Sequence, residues 1–251
     1  MNENNQDDSK NDNNNNNNSN NNIFNDHIPK NNDMPSYSSF PFELDDFQRE
    51  TVQYIQREEN VLVSAPTGSG KTFCATYAIS QYITRYPNKR VIYTSPIKSL
   101  SNQKRNEFSK KFKGIAHVGI ATGDIKYSLD SQILVMTAEI LRNLLHKNDK
   151  ITKLDLKFDL DKDVSCVIMD EAHYIGDFSR GNIWEETLIL LNKNIKLLLL
   201  SATLGNGESV RDWLTCIKNI PCHLVLKKNR VIPLIHQMYH HFSANQFNLM
   251  N

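Results

Sequence analysis

The segment from Ala65 to Thr72 has the residue types that bind phosphate groups in proteins. Its glycines let the backbone curl, so that successive N–H groups point at one phosphate cluster. We expect Lys71 to reach the β- and γ-phosphates of a nucleotide and the Thr72 hydroxyl to ligate Mg²⁺. The usual pattern has glycine where this chain has Ala65, but a strand before the loop and a helix after it disfavour an incidental Gly/Ser-rich turn. The predicted loop comprises Ala65, Pro66, Thr67, Gly68, Ser69, Gly70, Lys71 and Thr72.

A second candidate site is the acidic pair Asp170-Glu171, which follows an apolar run and precedes Ala172-His173. A carboxylate such as Asp170 can hold Mg²⁺ through water, and Glu171 can orient or deprotonate an attacking water molecule. A solvated acidic turn is the alternative, but a phosphate loop about one hundred residues upstream favours a joint site. Residues 201–203 (Ser-Ala-Thr) follow another apolar run, and their hydroxyl groups could hydrogen-bond the acidic motif.

Seven short apolar runs would have to position these residues. Several are apolar throughout, which is typical of strands buried on both faces of a parallel sheet. Residues 207–217 have helical spacing of apolar side chains, with Asn206 as a candidate N-cap. The repeated β–α units predict an α/β fold with a doubly wound, mostly parallel sheet of about seven strands, which binds ligands at the carboxyl ends of its strands. The predicted strands are Asn60–Ser64, Arg90–Ser95, His117–Ala121, Gln132–Thr137, Val164–Asp170, Lys196–Ser201 and His223–Lys227.

Composition divides the 251 residues into three parts. Residues 1–39 are rich in asparagine and lack an apolar face, so we predict a disordered tail. We predict one domain over residues 40–227 and an exit segment over residues 228–251. Within the domain, Lys153–Asp161 alternates leucine or phenylalanine with charged residues, which predicts a half-exposed strand or a hairpin arm, as an insertion at the sheet edge.

The formal net charge of +1 hides an acidic tail and a mildly basic body. Residues 1–40 carry two basic and six acidic side chains, which leaves 27 basic and 22 acidic ones in residues 41–251. No apolar run approaches the ~20 residues that span a bilayer, and the polar N-terminus lacks the apolar core of a secretory signal. Four cysteines without CxxC spacing disfavour a zinc knuckle or a disulfide framework. We therefore expect an intracellular, reducing compartment, the cytoplasm or the nucleus, and no membrane partner.

In this order, the phosphate loop, the acidic motif and the Ser-Ala-Thr segment resemble the first RecA-like domain of superfamily 2 DExD/H-box helicases. A finer resemblance is to the superkiller-type RNA helicases and the related exosome-cofactor helicases, and it runs from about residue 40 to about residue 236. The Ser-Pro-Ile-Lys stretch and the Arg-Gly and Trp-Glu-Glu stretches separate this group from the commoner DEAD-box proteins. The stretches that carry the resemblance are PFELDDFQ at 41–48, VIYTSPIKSLSNQK at 91–104, TGDI at 122–125, VMTAEILR at 135–142, RG at 180–181 and WEE at 184–186.

This resemblance implies a RecA-like fold and an ATP-dependent RNA helicase that uses ATP and Mg²⁺. In it, Phe42 would stack on adenine and Gln48 would hydrogen-bond the edge of the base, although Phe42 could instead be a core aromatic. The implied nucleotide-binding set is the phosphate loop together with Phe42, Gln48, Ser201 and Thr203. The implied catalytic residues are Lys71, Asp170 and Glu171, and the implied metal ligands are Thr72 and Asp170.

The resemblance also implies single-stranded RNA as a partner. Residues just past several strand ends would contact the RNA backbone through hydroxyl groups, N–H groups and a lysine, which suits contacts without sequence information. Each also has a simpler interpretation as a helix N-cap, and Thr137 would cap its helix in either case. The implied contacts are Pro96, Lys98, Thr122, Gly123, Asp124, Thr137 and Glu139.

Helicases of this group close ATP between two RecA-like domains, and the second domain supplies arginines to the transition state. Arginine fingers of this kind are worth about 10³–10⁵ in rate in related NTPases. Residues 230–236 resemble the group's exit towards that domain, but the residues that follow, up to Asn251, do not align with the group. We expect the second domain on another polypeptide. The alternatives are a vestigial ATP- and RNA-binding module, an ATPase that works alone, or a fragment of a DNA-acting helicase.

Overall fold

The computed structural model describes residues 42–146, 158–177, 180–202, 204–230 and 235. The predicted tail over residues 1–39 and most of the exit segment lie outside these ranges. Within the described ranges, no helix combines the length and the apolar character needed to cross a membrane.

In the described part of the chain, eight strands form a single sheet. They are β1 Asn60–Ser64, β2 Arg90–Ser95, β3 Val118–Ala121, β4 Lys126–Tyr127, β5 Ile133–Thr137, β6 Val164–Met169, β7 Lys196–Ser201 and β8 Cys222–Leu226. Their order across the sheet is β4-β3-β5-β2-β6-β7-β1-β8, and all pairs are parallel except β3 with β4. All seven predicted strands are present with bounds within one residue, so the predicted doubly wound α/β fold is confirmed.

Helices cover both faces of this sheet, which is why its strands are apolar without alternation. The helices are α1 Asp46–Gln56, α2 Lys71–Arg85, α3 Lys98–Lys111, α4 Ala138–Leu145, α5 Leu160–Asp163, α6 Gly181–Leu190 and α7 Gly207–Lys218, with a 3-10 helix at Ala172–Gly176. One core lies between the sheet and α1, α2 and α3, and the other lies between the sheet and α4, α6 and α7. In β1, Val61 and Val63 belong to the first core and Leu62 to the second, and all three are fully buried.

Two edge segments differ from the sequence-based expectation. The sequence does not predict β4, because its two residues are exposed and form no apolar run. The strand predicted over Lys153–Asp161 is wrong where the structure describes it, since Leu160 and Asp161 belong to α5. Asp159 accepts a hydrogen bond from the Asp161 N–H at 2.9 Å, and this local cap outweighs the alternating pattern. Residues 153–157 lie outside the described ranges.

The helix predicted over residues 207–217 is confirmed as α7, but the capping hydrogen bonds are not formed. Asn206 occupies the N-cap position with φ −117° and ψ 31°, outside the extended region typical of a cap, and its side chain makes no capping bond. Thr137 precedes α4 with an extended backbone, yet its hydroxyl makes no capping bond either. Both predictions gave the start of a helix correctly and the bond that secures it wrongly.

A buried lysine ends α7. Lys218 is 3% exposed, and its ammonium donates a hydrogen bond to the carbonyl oxygen of Leu191, just past the end of α6. Burial lowers the pKa of Lys218 to about 8.

We expect Lys218 to make stability rise with pH above 8. Below pH 8 the lysine is protonated in both states, so the cost of burying its charge is fully present. Between pH 8 and about 10.5 the unfolded chain binds more protons than the folded one, and the free energy of unfolding increases with pH by up to about 1.4 kcal/mol per pH unit. Urea unfolding of the wild type and of Lys218→Met at pH 7, 8, 9 and 10 measures this. Parallel pH profiles for the two proteins would contradict the prediction.

Candidate functional site

The predicted site residues lie along one edge of the sheet. The phosphate loop follows β1, the acidic motif follows β6, and Ser201 ends β7, which lies between those two strands. Pro96, Thr122 and Thr137 lie at the ends of β2, β3 and β5, which are neighbours in the other half of the sheet. The residues predicted to bind nucleotide and those predicted to contact nucleic acid therefore occupy adjacent halves of the edge where doubly wound sheets bind ligands.

The backbone of the phosphate loop explains which of its positions require glycine. Gly68 and Gly70 have φ values of 82° and 90°, a left-handed region that side chains rarely adopt. A Cβ atom at Gly70 would also lie 2.7 Å from Nε2 of Gln48. Ala65 does not have a positive φ, and its N–H donates to the carbonyl oxygen of Ser201 at 3.1 Å. The departure from the usual glycine at this position therefore costs no backbone strain.

Lys71 is the first residue of α2 and lies across the loop. Its ammonium donates to the carbonyl oxygens of Ala65 at 2.7 Å and Pro66 at 3.0 Å. Burial lowers the pKa of Lys71, and the nearby carboxylates of Glu171 and Asp170 oppose that shift. The lysine thus lies between the loop and the acidic motif, where a phosphate group could replace the two carbonyl oxygens.

Gln48 of α1 and Phe42, which precedes this helix, border the phosphate loop. Gln48 is 7% exposed, accepts a hydrogen bond from the Asp45 N–H at 3.0 Å and donates to the carbonyl oxygen of Gly70 at 3.4 Å. Phe42 is 44% exposed, and its ring meets that of Phe73 edge to face with 5.5 Å between centroids. Phe42 is therefore not a core aromatic, and both residues lie beside the start of α2.

The acidic motif is held by the neighbouring strand β2. The Asp170 N–H donates to the carbonyl oxygen of Thr94 at 3.0 Å, and the Tyr93 hydroxyl donates to Oδ2 of Asp170. Burial, together with the charge of Asp170, raises the pKa of Tyr93, so its hydroxyl remains a donor. Glu171 has a φ of 55°, a conformation that costs a residue other than glycine about 1–3 kcal/mol. Its carboxylate lies 3.3 Å from Nδ1 of His173.

Ser201 does not hydrogen-bond the acidic motif, so the prediction is wrong for this one of the two hydroxyl groups. Its hydroxyl is buried and has no hydrogen-bond partner among the described residues. The segment instead contacts β1, because the Leu204 N–H donates to Oγ of Ser64 at 2.9 Å and Ser64 Oγ donates to the carbonyl oxygen of Ala202 at 3.3 Å. β7 pairs with both β1 and β6, and the segment after β7 forms its hydrogen bonds with β1. Thr203 lies outside the described residues.

The Arg-Gly and Trp-Glu-Glu stretches dock α6 onto the turn that follows the acidic motif. The rings of His173, Tyr174 and Trp184 stack in sequence, with centroids 5.0 Å and then 5.4 Å apart. A Cβ atom at Gly181 would lie 2.5 Å from the carbonyl oxygen of Ile175, so only glycine allows α6 to approach this closely. Gly181 and Trp184 of these stretches thus support the turn that carries His173, a role that the sequence does not reveal.

Sequence reasoning also misses a lysine beside the predicted metal ligand. Lys104 of α3 donates to Oγ1 of Thr72 at 3.0 Å and lies 3.1 Å from a carboxylate oxygen of Glu107. Lys104 ends the stretch at 91–104 that carries the resemblance, and it lies in a helix rich in lysine, but neither signal reveals the neighbouring element. Among the described residues, no group of three or more His, Cys, Asp or Glu side chains could hold a metal. A divalent ion on Thr72 and Asp170 would therefore take most of its remaining ligands from phosphate and water.

The residues predicted to contact nucleic acid divide into exposed and buried ones. Lys98 and Asp124 form an exposed ion pair at 2.6 Å, and a Cβ atom at Gly123 would lie 3.4 Å from the Lys98 side chain. Thr122 and Thr137 are 1% and 5% exposed. Pro96 is also buried, and Glu139 is half-buried. The edge thus presents Lys98, Gly123 and Asp124 together, and the buried residues shape the turns beneath them.

Known proteins that are similar in sequence or structure to this chain are helicases. The chain is 45% identical over 217 residues to an uncharacterised helicase of Schizosaccharomyces pombe. This match covers 85% of this chain and 20% of that protein. It is 42% identical over 200 residues to the human exosome RNA helicase, and this match covers 80% of this chain and 18% of that protein. The chain therefore spans about a fifth of the length of these relatives. A solved structure of the Mycobacterium smegmatis helicase Lhr bound to single-stranded DNA and AMP-PNP matches 72% of this chain and 25% of that one, with 25% identity and a TM-score of 0.59.

The family model of the DEAD/DEAH box helicases covers residues 45–211. This range begins at the cap of α1, runs through the phosphate loop and the acidic motif, and ends within α7. It therefore contains both halves of the sheet edge, apart from Phe42. Because most of the chain matches this model, the chain belongs to the DEAD/DEAH box helicase family.

Proposed function

We propose that this chain is the ATP-binding half of an ATP-dependent RNA helicase. The observation that carries the proposal is the position of Lys71, which lies between the phosphate loop and the carboxylates of Asp170 and Glu171. A lysine, a curled loop and an acidic pair at adjacent strand ends are the parts that phosphoryl transfer needs. The similarity to the exosome RNA helicase supports RNA as the nucleic acid.

The nucleotide would bind where loop atoms are available to its phosphates. Ser69 Oγ is buried without a partner among the described residues, which fits a phosphate oxygen as its acceptor. Lys71 would exchange its two carbonyl acceptors for phosphate oxygens, a stronger charge-assisted contact. Phe42 would lie against the adenine and Gln48 along its edge, since both border the start of α2.

Thr72 and Asp170 would hold Mg²⁺ together with the phosphates. A hydroxyl and a carboxylate are oxygen ligands of the kind that this ion prefers, and the bound ion would neutralise charge on the transferring phosphate. Tyr93 would orient Asp170 by its hydrogen bond to Oδ2. Glu171 would accept a proton from the attacking water, and His173 lies close enough to orient its carboxylate.

RNA would bind along the other half of the edge. The ion pair of Lys98 with Asp124 is exposed, so it contributes little to stability, and Lys98 can turn to a phosphate at low cost. A second RecA-like domain, on the same polypeptide or on another, would supply the arginines that stabilise the transition state. Buried free thiols at Cys74, Cys166 and Cys222 suit a reducing compartment such as the cytoplasm or the nucleus.

The test measures ATP hydrolysis by the chain with and without single-stranded RNA and a separate polypeptide carrying a second RecA-like domain of this helicase group. We expect hydrolysis to rise by at least about 10³-fold when both are present, because transition-state arginines have effects of this size. Single-stranded DNA of the same sequence serves as the comparison, since one similar structure holds single-stranded DNA. Nucleotide binding without hydrolysis in every combination would support a non-catalytic module, and equal stimulation by DNA would overturn the preference for RNA.

A further inference from the structure

Lys104 lies against the hydroxyl that the proposed function assigns to the metal. Its ammonium is 3.0 Å from Oγ1 of Thr72, and its side chain is only 14% exposed. Lys104 reaches this position from the second turn of α3, which packs beside α2 in the same core layer. The contact therefore joins two helices that follow different strands.

Glu107 fixes the lysine in this place. One carboxylate oxygen of Glu107 lies 3.1 Å from Lys104, and the other accepts a hydrogen bond from Lys111 at 2.9 Å. Burial alone would raise the pKa of Glu107, but the two lysines lower it, so the carboxylate remains charged. Lys104 is thus held beside Thr72 by an ion pair that is largely shielded from water.

An ammonium and a divalent cation oppose each other at one hydroxyl oxygen. The Thr72 oxygen has two lone pairs and Lys104 occupies one of them by donating a hydrogen bond, so a metal would bind through the other, directly beside the ammonium. Positive charges a few ångströms apart at a partly buried site also repel each other strongly.

We propose that the Lys104 ammonium competes with Mg²⁺ for the Thr72 hydroxyl. Through this competition, Lys104 sets how much the metal strengthens nucleotide binding. This inference rests on the proposed function, because it assumes that Mg²⁺ binds at Thr72. It adds a residue from α3 that regulates the site and that neither the phosphate loop nor the acidic motif contains.

Lys111 provides a matched control. It lies two turns further along α3, shares Glu107 as a partner and donates to Oγ1 of Thr76 on α2 at 3.3 Å. Thr76 Oγ1 in turn donates to the carbonyl oxygen of Thr72 within α2, so it is not available as a metal ligand. Replacing Lys111 removes the same charge from the same ion-pair group without freeing the Thr72 hydroxyl.

The experiment measures the Kd of fluorescent ADP for the full chain in EDTA and in saturating Mg²⁺. The readout is the Kd in EDTA divided by the Kd in Mg²⁺. This ratio is larger when the metal strengthens nucleotide binding more. In Lys104→Met and Lys104→Gln, we expect this ratio to increase about tenfold, the effect of removing one screened charge near the ion. Lys104→Arg and Lys111→Met should keep the wild-type ratio.

The outcomes separate this inference from the proposed function. An unchanged ratio in both Lys104→Met and Lys104→Gln, or an equal increase in Lys111→Met, overturns the role of Lys104 alone. If the wild type binds no nucleotide, or if Lys71→Ala binds as tightly as the wild type, the proposed function itself fails. Glutamine keeps a donor for Glu107 without the charge, so it preserves the test if the methionine variant unfolds.

Discussion

Replacing Glu171 with glutamine is expected to reduce RNA-stimulated ATP hydrolysis by about 10²–10⁴-fold, because the amide cannot accept the proton of the attacking water. Nucleotide affinity should stay within about twofold of the wild type, since glutamine keeps the size and polarity of the side chain. The Glu171 N–H donates to Oδ1 of Asp170, and its carboxylate lies beside His173. Among the described residues, the change to glutamine therefore breaks neither a contact with the phosphate-loop backbone nor a hydrogen bond to Lys71. The measurement pairs hydrolysis rates, with the second domain and RNA present, with the binding of fluorescent ATP.

Glu185→Gln is the matched control for this prediction. Glu185 is exposed on α6, so the same change there should leave hydrolysis unaffected. Hydrolysis that persists in Glu171→Gln would remove the proposed role of this carboxylate. A parallel loss of ATP binding would instead indicate that Glu171 acts on the shape of the loop through its left-handed backbone.

Replacing Lys71 with alanine is expected to weaken ATP binding about 10- to 100-fold, because a charge-assisted hydrogen bond to phosphate is worth about 1.5–3 kcal/mol. The free energy of unfolding should change little. The variant loses the two hydrogen bonds to Ala65 and Pro66. It also avoids the free-energy cost of burying the ammonium charge, which is the cause of the lowered pKa of Lys71. Titration of fluorescent ATP measures the first effect, and urea unfolding measures the second.

Lys110→Ala tests whether a general loss of positive charge explains the result. Lys110 is exposed on α3, the same helix that carries Lys104, and this variant should bind ATP like the wild type. Equal losses in both variants would contradict a specific contact between Lys71 and phosphate. Unchanged binding in Lys71→Ala would remove ATP from the proposal.

Most of the fold could be predicted because its strands are continuous apolar runs. Val61, Leu62 and Val63 are buried against different helix layers, and a run of this kind marks a central parallel strand without any knowledge of its partners. The phosphate loop could be predicted for a similar reason, since its glycines serve a local backbone conformation. The short helix at Leu160–Asp163 could not, because a single cap at Asp159 decided it against the alternating pattern.

The contacts that complete the site were beyond sequence reasoning. The hydroxyl of Tyr93 and the carboxylate of Asp170 are 77 residues apart, and Lys104 and Thr72 are 32 residues apart. Their meeting depends on the order of strands in the sheet, which places β2 beside β6 and α3 beside α2. Residue types and local spacing carry no information about that order.

The β2–α3 unit lies at the border between the two halves of the sheet edge, and this position bears on how ATP affinity and RNA affinity are linked. Tyr93 and Lys104 belong to the β2–α3 unit, and Pro96 lies in the turn between these two elements, which the hydrogen bond between Ser95 and Ser101 holds at 2.7 Å. If RNA on this unit changes the affinity for ATP by some factor, ATP must change the affinity for RNA by the same factor. If that coupling is positive and depends on the terminal phosphate, loss of this phosphate would weaken RNA binding by the same factor.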